Sequence, residues 1–326
     1  MRKYLLKRFL SAIPMLFFIT IITFLIINAA PGGPATMFVK PGGHTELTAE
    51  EIEWVNAILG VDKPVLSRYV NWLGQIVVGN LGYSYSSGLP VMDEILSRLA
   101  PTLALMGITL TLSVLIGVWL GFISAKHQNS WKDRLISFIA MLGLSLPEFW
   151  FALMLLVLFA GRLGWLPSIG LTSTNLVNPT FWVLLLDRAK HMVLPVFVLT
   201  FSSLAKWSKY QRGAVLDVIN QDYVRTAKAK GMSEAVIDKR HVFRNSALPI
   251  VTLLGTSLPS LFSGAIIIEA IFALPGTGRY FLMAISSRDY PVIMGQVLIT
   301  SVLILLGTLL ADILYTVIDP RIRYSE

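Results

Sequence analysis

Asp222-Tyr223-Val224-Arg225-Thr226-Ala227-Lys228-Ala229-Lys230-Gly231, followed after twelve residues by Arg244-Asn245-Ser246-Ala247-Leu248-Pro249, is the stretch on which the reading of this chain turns. It is charged and helix-prone, carries an internal glycine, and lies between two long apolar runs. In so hydrophobic a chain, a segment like this belongs in water beside a bilayer. Asp222 or Asn220 can cap a helix through Lys230, Gly231 can take the conformation that ends it, and Ser233 can cap a second helix through Phe243. Tyr223 and Ala227 share a face at i, i+4, and the small Ala227 and Ala229 let another surface come close. Arg225, Lys228 and Lys230 add positive charge suited to acidic residues on a partner or to lipid head groups. On these grounds alone, an ordinary basic loop fits equally well.

Working outward, composition sets the class. Apolar residues make up 55% of the 326 and charged residues only 14%, whereas a soluble domain carries nearer a quarter charged. There is no cysteine, which excludes disulfides, thiolate chemistry and cysteine-based metal sites. His44, His127, His191 and His241 are far apart and no pair has ligand spacing, so none is expected to hold a metal.

A spanning helix needs about 20 apolar residues. Phe9–Ala30 and Leu99–Ala125 are uncharged, Leu135–Gly161 contains only Glu148, Ser246–Ala273 only Glu269, and Tyr290–Ile318 only Asp312. Met192–Ala205 is a sixth candidate whose uncharged core of 14 residues is short; it can span if Lys206 and Lys209 snorkel. The fold class expected is an all-α integral membrane protein with six transmembrane helices. Six spans put 18 of the 27 Lys and Arg on the side that holds both termini. Excess basic residues mark the cytoplasmic side, so both termini are expected there and the net charge of +8 reflects topology, not nucleic-acid binding. The first run, with its basic start and 22 apolar residues, reads as an uncleaved anchor, not a signal peptide.

The expected organisation is a cytoplasmic N-terminus (1–8), a first span (9–30), an extra-cytoplasmic segment (31–98), a core with five spans (99–318, with 220–245 in the charged region) and a cytoplasmic C-terminus (319–326). In the extra-cytoplasmic segment Thr48-x-x-Glu51 is a capping box, and Ile52, Val55 and Leu59 follow on one helical face before Gly60. A second amphipathic helix is expected from Asp62 and Pro64, with Val65, Tyr69, Trp72, Leu73 and Ile76 as its apolar stripe. These helices can lie on the bilayer or bundle and can also form a docking platform; the two readings are not exclusive. Gly117-x-x-x-Gly121 predicts close helix packing, and Pro147, Pro195, Pro249 and Pro259 predict bends inside apolar spans. Intramembrane carboxylates are expensive. Glu269 and Asp312 are expected near helix ends with water in reach, and Glu148 and Glu269 are the candidate pathway-lining residues.

The charged stretch resembles the EAA loop of binding-protein-dependent ABC importer permeases, in particular the dipeptide/oligopeptide permease branch with its Tyr-x-Arg-Thr-Ala-x-Ala-Lys-Gly pattern and following Arg-Asn-x-x-Leu-Pro. The likeness runs the length of the chain. It takes in Pro31-Gly32-Gly33-Pro34, Leu59-Gly60-x-Asp62-Lys63-Pro64, Gly79-Asn80-Leu81-Gly82-x-Ser84 and His191-Met192-x-Leu194-Pro195. Gly264-Ala265-Ile266-x-x-Glu269, Pro275-Gly276-x-Gly278-Arg279, Arg288-Asp289-Tyr290-Pro291-Val292 and Asp319-Pro320-Arg321-Ile322-Arg323 follow in family order. The connection from Trp165 to Lys190 is short beside some relatives.

The resemblance implies a type I importer (MetI-like) permease fold and a place in a bacterial or archaeal cytoplasmic membrane. A second homologous permease subunit would complete the pathway, with two cytoplasmic ABC ATPase subunits on one side and an extracytoplasmic solute-binding protein on the other. Tyr223, Arg225, Thr226, Ala227, Ala229, Lys230 and Gly231 would seat in an ATPase groove. The chain would bind no cofactor of its own, with ATP and Mg on the partner ATPases, and its solute would be a di- or oligopeptide or, as in other members of the branch, a sugar, a nickel complex or glutathione. No Gly-x-x-x-x-Gly-Lys-Ser/Thr loop, His-Glu-x-x-His or Gly-x-Ser-x-Gly is present, so the chain is not expected to be an enzyme. An ion-driven secondary transporter is the alternative, though no internal repeat is evident.

Overall fold

In the computed structural model, residues 2–29, 48–58, 60 and 62–318 are described. The Pro31–Pro34 run, Leu59 and the terminal Asp319–Arg323 run lie outside them. The described chain is helical, and it divides into two compact units, each built from separated stretches of sequence.

The first unit comprises Met1–Thr102, Phe262–Ile266 and Pro275–Leu306. Its helix α1 (Arg2–Ala29) is followed by α2 (Ala49–Ile58) and α3 (Val65–Val77). The capping box forms: the Glu51 carboxylate accepts the Thr48 N–H at 2.8 Å, and the Thr48 hydroxyl accepts the Glu51 N–H at 3.3 Å. Gly60 stands at φ +65°, where a β-carbon is strained. The stripe on α3 turns onto α1: Tyr69 is buried with Phe24 and Met294, Trp72 and Leu73 pack beside it, and its hydroxyl meets Thr20 Oγ1 at 2.9 Å.

A second core joins the Gly79–Ser84 turn to the start of α4 (Val91–Lys126), to α14 (Thr277–Ser287) and to α15 (Tyr290–Ile318). Leu81, Val91, Ile95, Ala284, Val292 and Ile293 fill it. A β-carbon on Gly295 would come within 2.7 Å of Val91 Cγ1, so α15 approaches this closely only because that position is glycine. Two quoted motifs meet here. The Ser84 hydroxyl donates to Asp289 Oδ2 at 2.6 Å, the Ser86 N–H donates to the same oxygen at 3.1 Å, and the Val292 N–H reaches Oδ1 at 3.4 Å. Burial, with Asp289 adding to it, pushes the Tyr85 hydroxyl up to about 12, so that it stays neutral.

The second unit comprises Leu103–Leu261, Ile267–Leu274 and Gly307–Glu326. Its long helix is α7 (Phe181–Ile219), 39 residues without a break. Added β-carbons on Gly117 and Gly121 of α4 would fall 2.4 Å from Trp207 Cβ and from the Ser208 carbonyl. One on Gly143 of α5 (Trp131–Ser145) would fall 2.4 Å from the Phe201 carbonyl. Three glycines thus let α4 and α5 lie against α7 at backbone contact, the packing expected of Gly117-x-x-x-Gly121.

Among the described residues, four helical stretches are long and apolar enough to cross a membrane: Leu10–Ala29, Val91–Lys126, Glu234–Ser263 and Tyr290–Ile313. A fifth exists if α5 and α6 (Glu148–Leu155, running on to Arg162) count together. The bend expected at Pro147 in the third run is present, and it is large: the two helices stand at 100°. Pro147 has no N–H to continue α5, and the preceding Leu146 is pushed to an extended conformation (φ −81°, ψ 128°). The expected sixth segment lies inside α7, which is long enough to cross but less apolar than the rest.

The run expected over Ser246–Ala273 also differs. Its apolar stretch ends at Ser263, ten residues before Ala273, because Gly264 turns at φ +72°. Glu269 then sits on a separate short helix, α13 (Ile266–Ile271). The prolines divide the same way: Pro147, Pro249 and Pro259 sit at or beside helix interruptions, whereas α7 carries Pro195 within an unbroken helix.

Candidate coupling interface

Helix α8 (Asp222–Ala229) follows α7 after a tight turn at Asn220 and Gln221. Gln221, not Asp222 or Asn220, is its N-cap, and no side chain caps it. Its other end is closed by the backbone. The Gly231 N–H donates to the Lys228 carbonyl at 2.9 Å, and the Met232 N–H to the Ala227 carbonyl at 3.3 Å. That pair of bonds is a Schellman turn, and it needs Gly231 at φ +75°. Ser233 then precedes α9 (Glu234–Ile237), which runs as a π-helix over Asp238–Phe243 and into Arg244–Ser246.

The two faces of α8 do different things. Val224 and Ala227 are buried in a cluster with Ala125 of α4, Val215 of α7, Ile237 and Val242. Met232 packs on the same cluster, supplying the apolar contact that accompanies a Schellman turn. Tyr223 is 42% exposed, and Arg225, Thr226, Ala229, Lys230 and Gly231 are exposed as well. The residues expected at the interface therefore separate. Six face outward, while Ala227, at 4% exposure, faces the chain's own interior and is not free to meet a partner. Its small side chain serves close approach after all, but to the protein's own helices.

Charge fastens this region further. Lys126 Nζ, at the end of α4, donates to both oxygens of Asp238 at 2.9 and 2.7 Å, with Glu234 at 3.8 Å. At the start of α5, Asp133 accepts from Arg212 Nε at 3.0 Å and Nη2 at 2.9 Å, from the Asn129 N–H at 2.9 Å, and from the Ser124 hydroxyl. Deeper in, fully buried Gln211 donates to Ser246 Oγ at 3.0 Å. Arg225 and Asp222, 3.6 Å apart on the exposed face, are largely in water, and such pairs contribute little.

These three connections were not expected from the sequence. The partners lie 112, 79 and 35 residues apart, and no spacing rule pairs them. The available signal was weaker: Lys126 and Asp133 flank a span end.

The two candidate pathway carboxylates are placed differently. Glu148 is exposed at the bend after Pro147, where its Oε1 accepts the Ser202 hydroxyl at 2.6 Å. Glu269 is fully buried, which overturns the expectation of water within its reach. The segment around it folds back instead of continuing a span: the Leu274 N–H closes on the Glu269 carbonyl at 2.9 Å. Asp312, also expected near water, is only 9% exposed. Among the described residues no three His, Asp or Glu side chains come together as a metal site.

The arrangement defines a multi-pass helical membrane protein with a short helix that is seated by one face and exposed on the other. Residues 117–324 match the family of binding-protein-dependent transport system inner membrane components, and residues 1–106 match that system's N-terminal membrane-component family. The oligopeptide transport system permease protein AppB of Bacillus subtilis (strain 168) is 40% identical over 325 residues, covering 99% of this chain and 100% of AppB. The glutathione transport system permease protein GsiC of Escherichia coli (strain K12) is 37% identical over 325 residues, 100% of each chain. Among solved structures, the inward-facing MetNI methionine ABC transporter matches with a TM-score of 0.55 at 16% identity, covering 70% of this chain and 97% of that one. The chain belongs to the binding-protein-dependent transport system inner membrane components, and its fold is that of a type I importer permease.

Proposed function

We propose that this chain is one of two permease subunits of an ATP-driven importer for di- or oligopeptides, with both termini and α8 on the cytoplasmic side. The observation that carries this reading is the division of α8 into an exposed face and a buried face seated on α4 and α7. An ATPase subunit gripping Tyr223, Arg225, Thr226, Ala229 and Lys230 would move Val224 and Ala227 with them. Those two residues fill the space beside Ala125 and Val215, so the ends of α4 and α7 must follow. Closure of the ATPases on ATP thereby becomes a rearrangement of the spans between two states. ATP and Mg would be bound and used on those separate subunits, and a solute-binding protein would deliver the cargo.

A peptide solute is supported by the likeness to AppB over the full chain. The likeness to GsiC favours glutathione, itself a small peptide, as the second reading. Co-purification tests the assembly. A tagged chain extracted from native membranes in mild detergent should bring down two ATPase chains and a second permease. Uptake of a labelled tripeptide by vesicles holding that complex, with glutathione as competitor, separates the two solutes. Recovery of this chain alone, under conditions that preserve other ABC complexes, would end the importer reading.

A further inference from the structure

Helix α15 carries one carboxamide inside a stretch apolar enough to span a membrane. Gln296 is 6% exposed. Its Nε2 donates to Thr300 Oγ1 at 3.2 Å, one turn along, while its Oε1 is buried without a hydrogen-bond partner. Turning the amide over exchanges the two ends and still leaves one of them over. Buried polar groups are nearly always paired, and one left unpaired in a native interior calls for an explanation.

A cavity of about 160 Å³ lies beside it, within the first unit, its walls including Ser263, Gly278, Phe281, Gln296, Thr300 and Ser301. No acidic or basic side chain lines this cavity. Its polar lining is hydroxyls and a carboxamide, groups that both donate and accept. A charged chain terminus would find no counter-charge there. An uncharged amide, with one N–H and one C=O, matches the lining on both counts, and the Phe281 ring and Val297 offer it apolar contact. Hydrogen bonds between neutral groups are also weak enough to release what they hold, as a transport pathway requires.

We propose that Gln296, with Thr300 and Ser301, forms a subsite for the backbone amide of the peptide solute in transit; this rests on the peptide-importer reading above. Such a subsite recognises what all peptides share and is indifferent to their side chains. It differs from the exposed carboxylate of Glu148, which would select for charge.

The test is a comparison of ratios. The full complex (this chain, its partner permease, the ATPases and the binding protein) is reconstituted in proteoliposomes. Initial uptake is measured for a tripeptide and for the same tripeptide with its central amide N-methylated. The binding protein contributes the same preference whichever permease is present, so the change in that ratio between wild type and Gln296→Leu isolates the subsite. The wild type should favour the unmethylated peptide by about five- to tenfold more than Gln296→Leu does, the size of one neutral hydrogen bond. The change should fall on KM, with ATPase stimulation by loaded binding protein intact.

Thr300→Val and Gln296→Asn give the same ratio should Gln296→Leu fail to assemble, and the Asn form should recover part of the discrimination. Equal discrimination by wild type and variants, with peptide still transported, means that a water or packing alone uses Gln296, and overturns the subsite. A wild-type complex that moves neither peptide overturns the importer reading, and the subsite with it.

Discussion

Two joints in this molecule each tie together segments remote in sequence through one aspartate, and they are built differently. Asp289 is 1% exposed and takes a hydroxyl and two backbone N–H groups around a helix start. Asp238 is about a quarter exposed and holds Lys126, itself about a quarter exposed, at the surface of the α8 region. The sealed joint is short-range, many-handed and closed to water. The open one is an ion pair of Lys126 with Asp238, with Glu234 3.8 Å away, that water can compete with. A carboxylate buried among fixed donors resists movement, whereas a half-wet pair on flexible side chains can break and re-form. The comparison teaches that, of these two joints, the one able to yield is the one beside α8, where the proposed function requires motion.

The largest effect on stability is expected at a third aspartate, Asp133, which is buried between α5 and α7. Asp133→Ala strands Arg212, and removing one partner of a buried pair costs about 3–5 kcal/mol. Because the Arg212 side chain is 30% exposed, the low end of that range, about 3 kcal/mol, is expected. The readout is the unfolding midpoint of the purified complex in detergent. Asp289→Ala comes next, at about 2 kcal/mol, since charge-assisted hydrogen bonds contribute about 1.5–3 kcal/mol each and water can re-enter the space. Asp289→Asn, able to accept from Ser84 still, should lose less. If Asp289→Ala leaves the midpoint unmoved, the distinction between sealed and open joints collapses.

Gly231→Val sharpens the comparison from the other side. A β-carbon there meets nothing within 4 Å, so the penalty is conformational alone, about 1–2 kcal/mol for a side chain in the left-handed region. The protein should still fold, but with the Schellman turn disturbed. If that strain displaces α8, peptide uptake should fall about tenfold, the equivalent of 1.4 kcal/mol, while ATP hydrolysis continues. Gly231→Asn, which tolerates the left-handed region, should keep most uptake. Normal uptake by the Val form would count against α8 as the coupling element.

The smallest effect on stability is expected at the open joint. Lys126→Ala should shift stability by no more than about 1 kcal/mol, as exposed pairs do. Its signature is kinetic: Lys126→Asp and Asp238→Lys should each slow uptake, and the double swap should restore part of it. A double swap no better than either single change would show that the pair does not carry motion.

How much of this was legible beforehand varies by element. The capping box at Thr48–Glu51, the stripe from Tyr69 to Leu73, the glycine pair on α4 and the Gly231 stop all formed as their local patterns require, because each depends on residues a few positions apart. Pro147 was legible as a bend, but not as a turn of 100°. The fate of Pro195, which α7 carries without a break, was not legible. Whether a proline bends a helix depends on what packs around it.

The sequence by itself determined that this is a helical membrane protein, that a charged helix closed by Gly231 stands outside the apolar runs, and which family it joins. Those facts are carried by hydropathy, by short-range capping chemistry and by ordered motifs, all readable along one dimension. Only the tertiary structure decided that Ala227 faces inward while Tyr223 faces out, that Glu269 is sealed, and that Lys126 meets Asp238 and Arg212 meets Asp133. These depend on where segments distant in sequence come to rest, and burial and ion pairing are properties of neighbours in space.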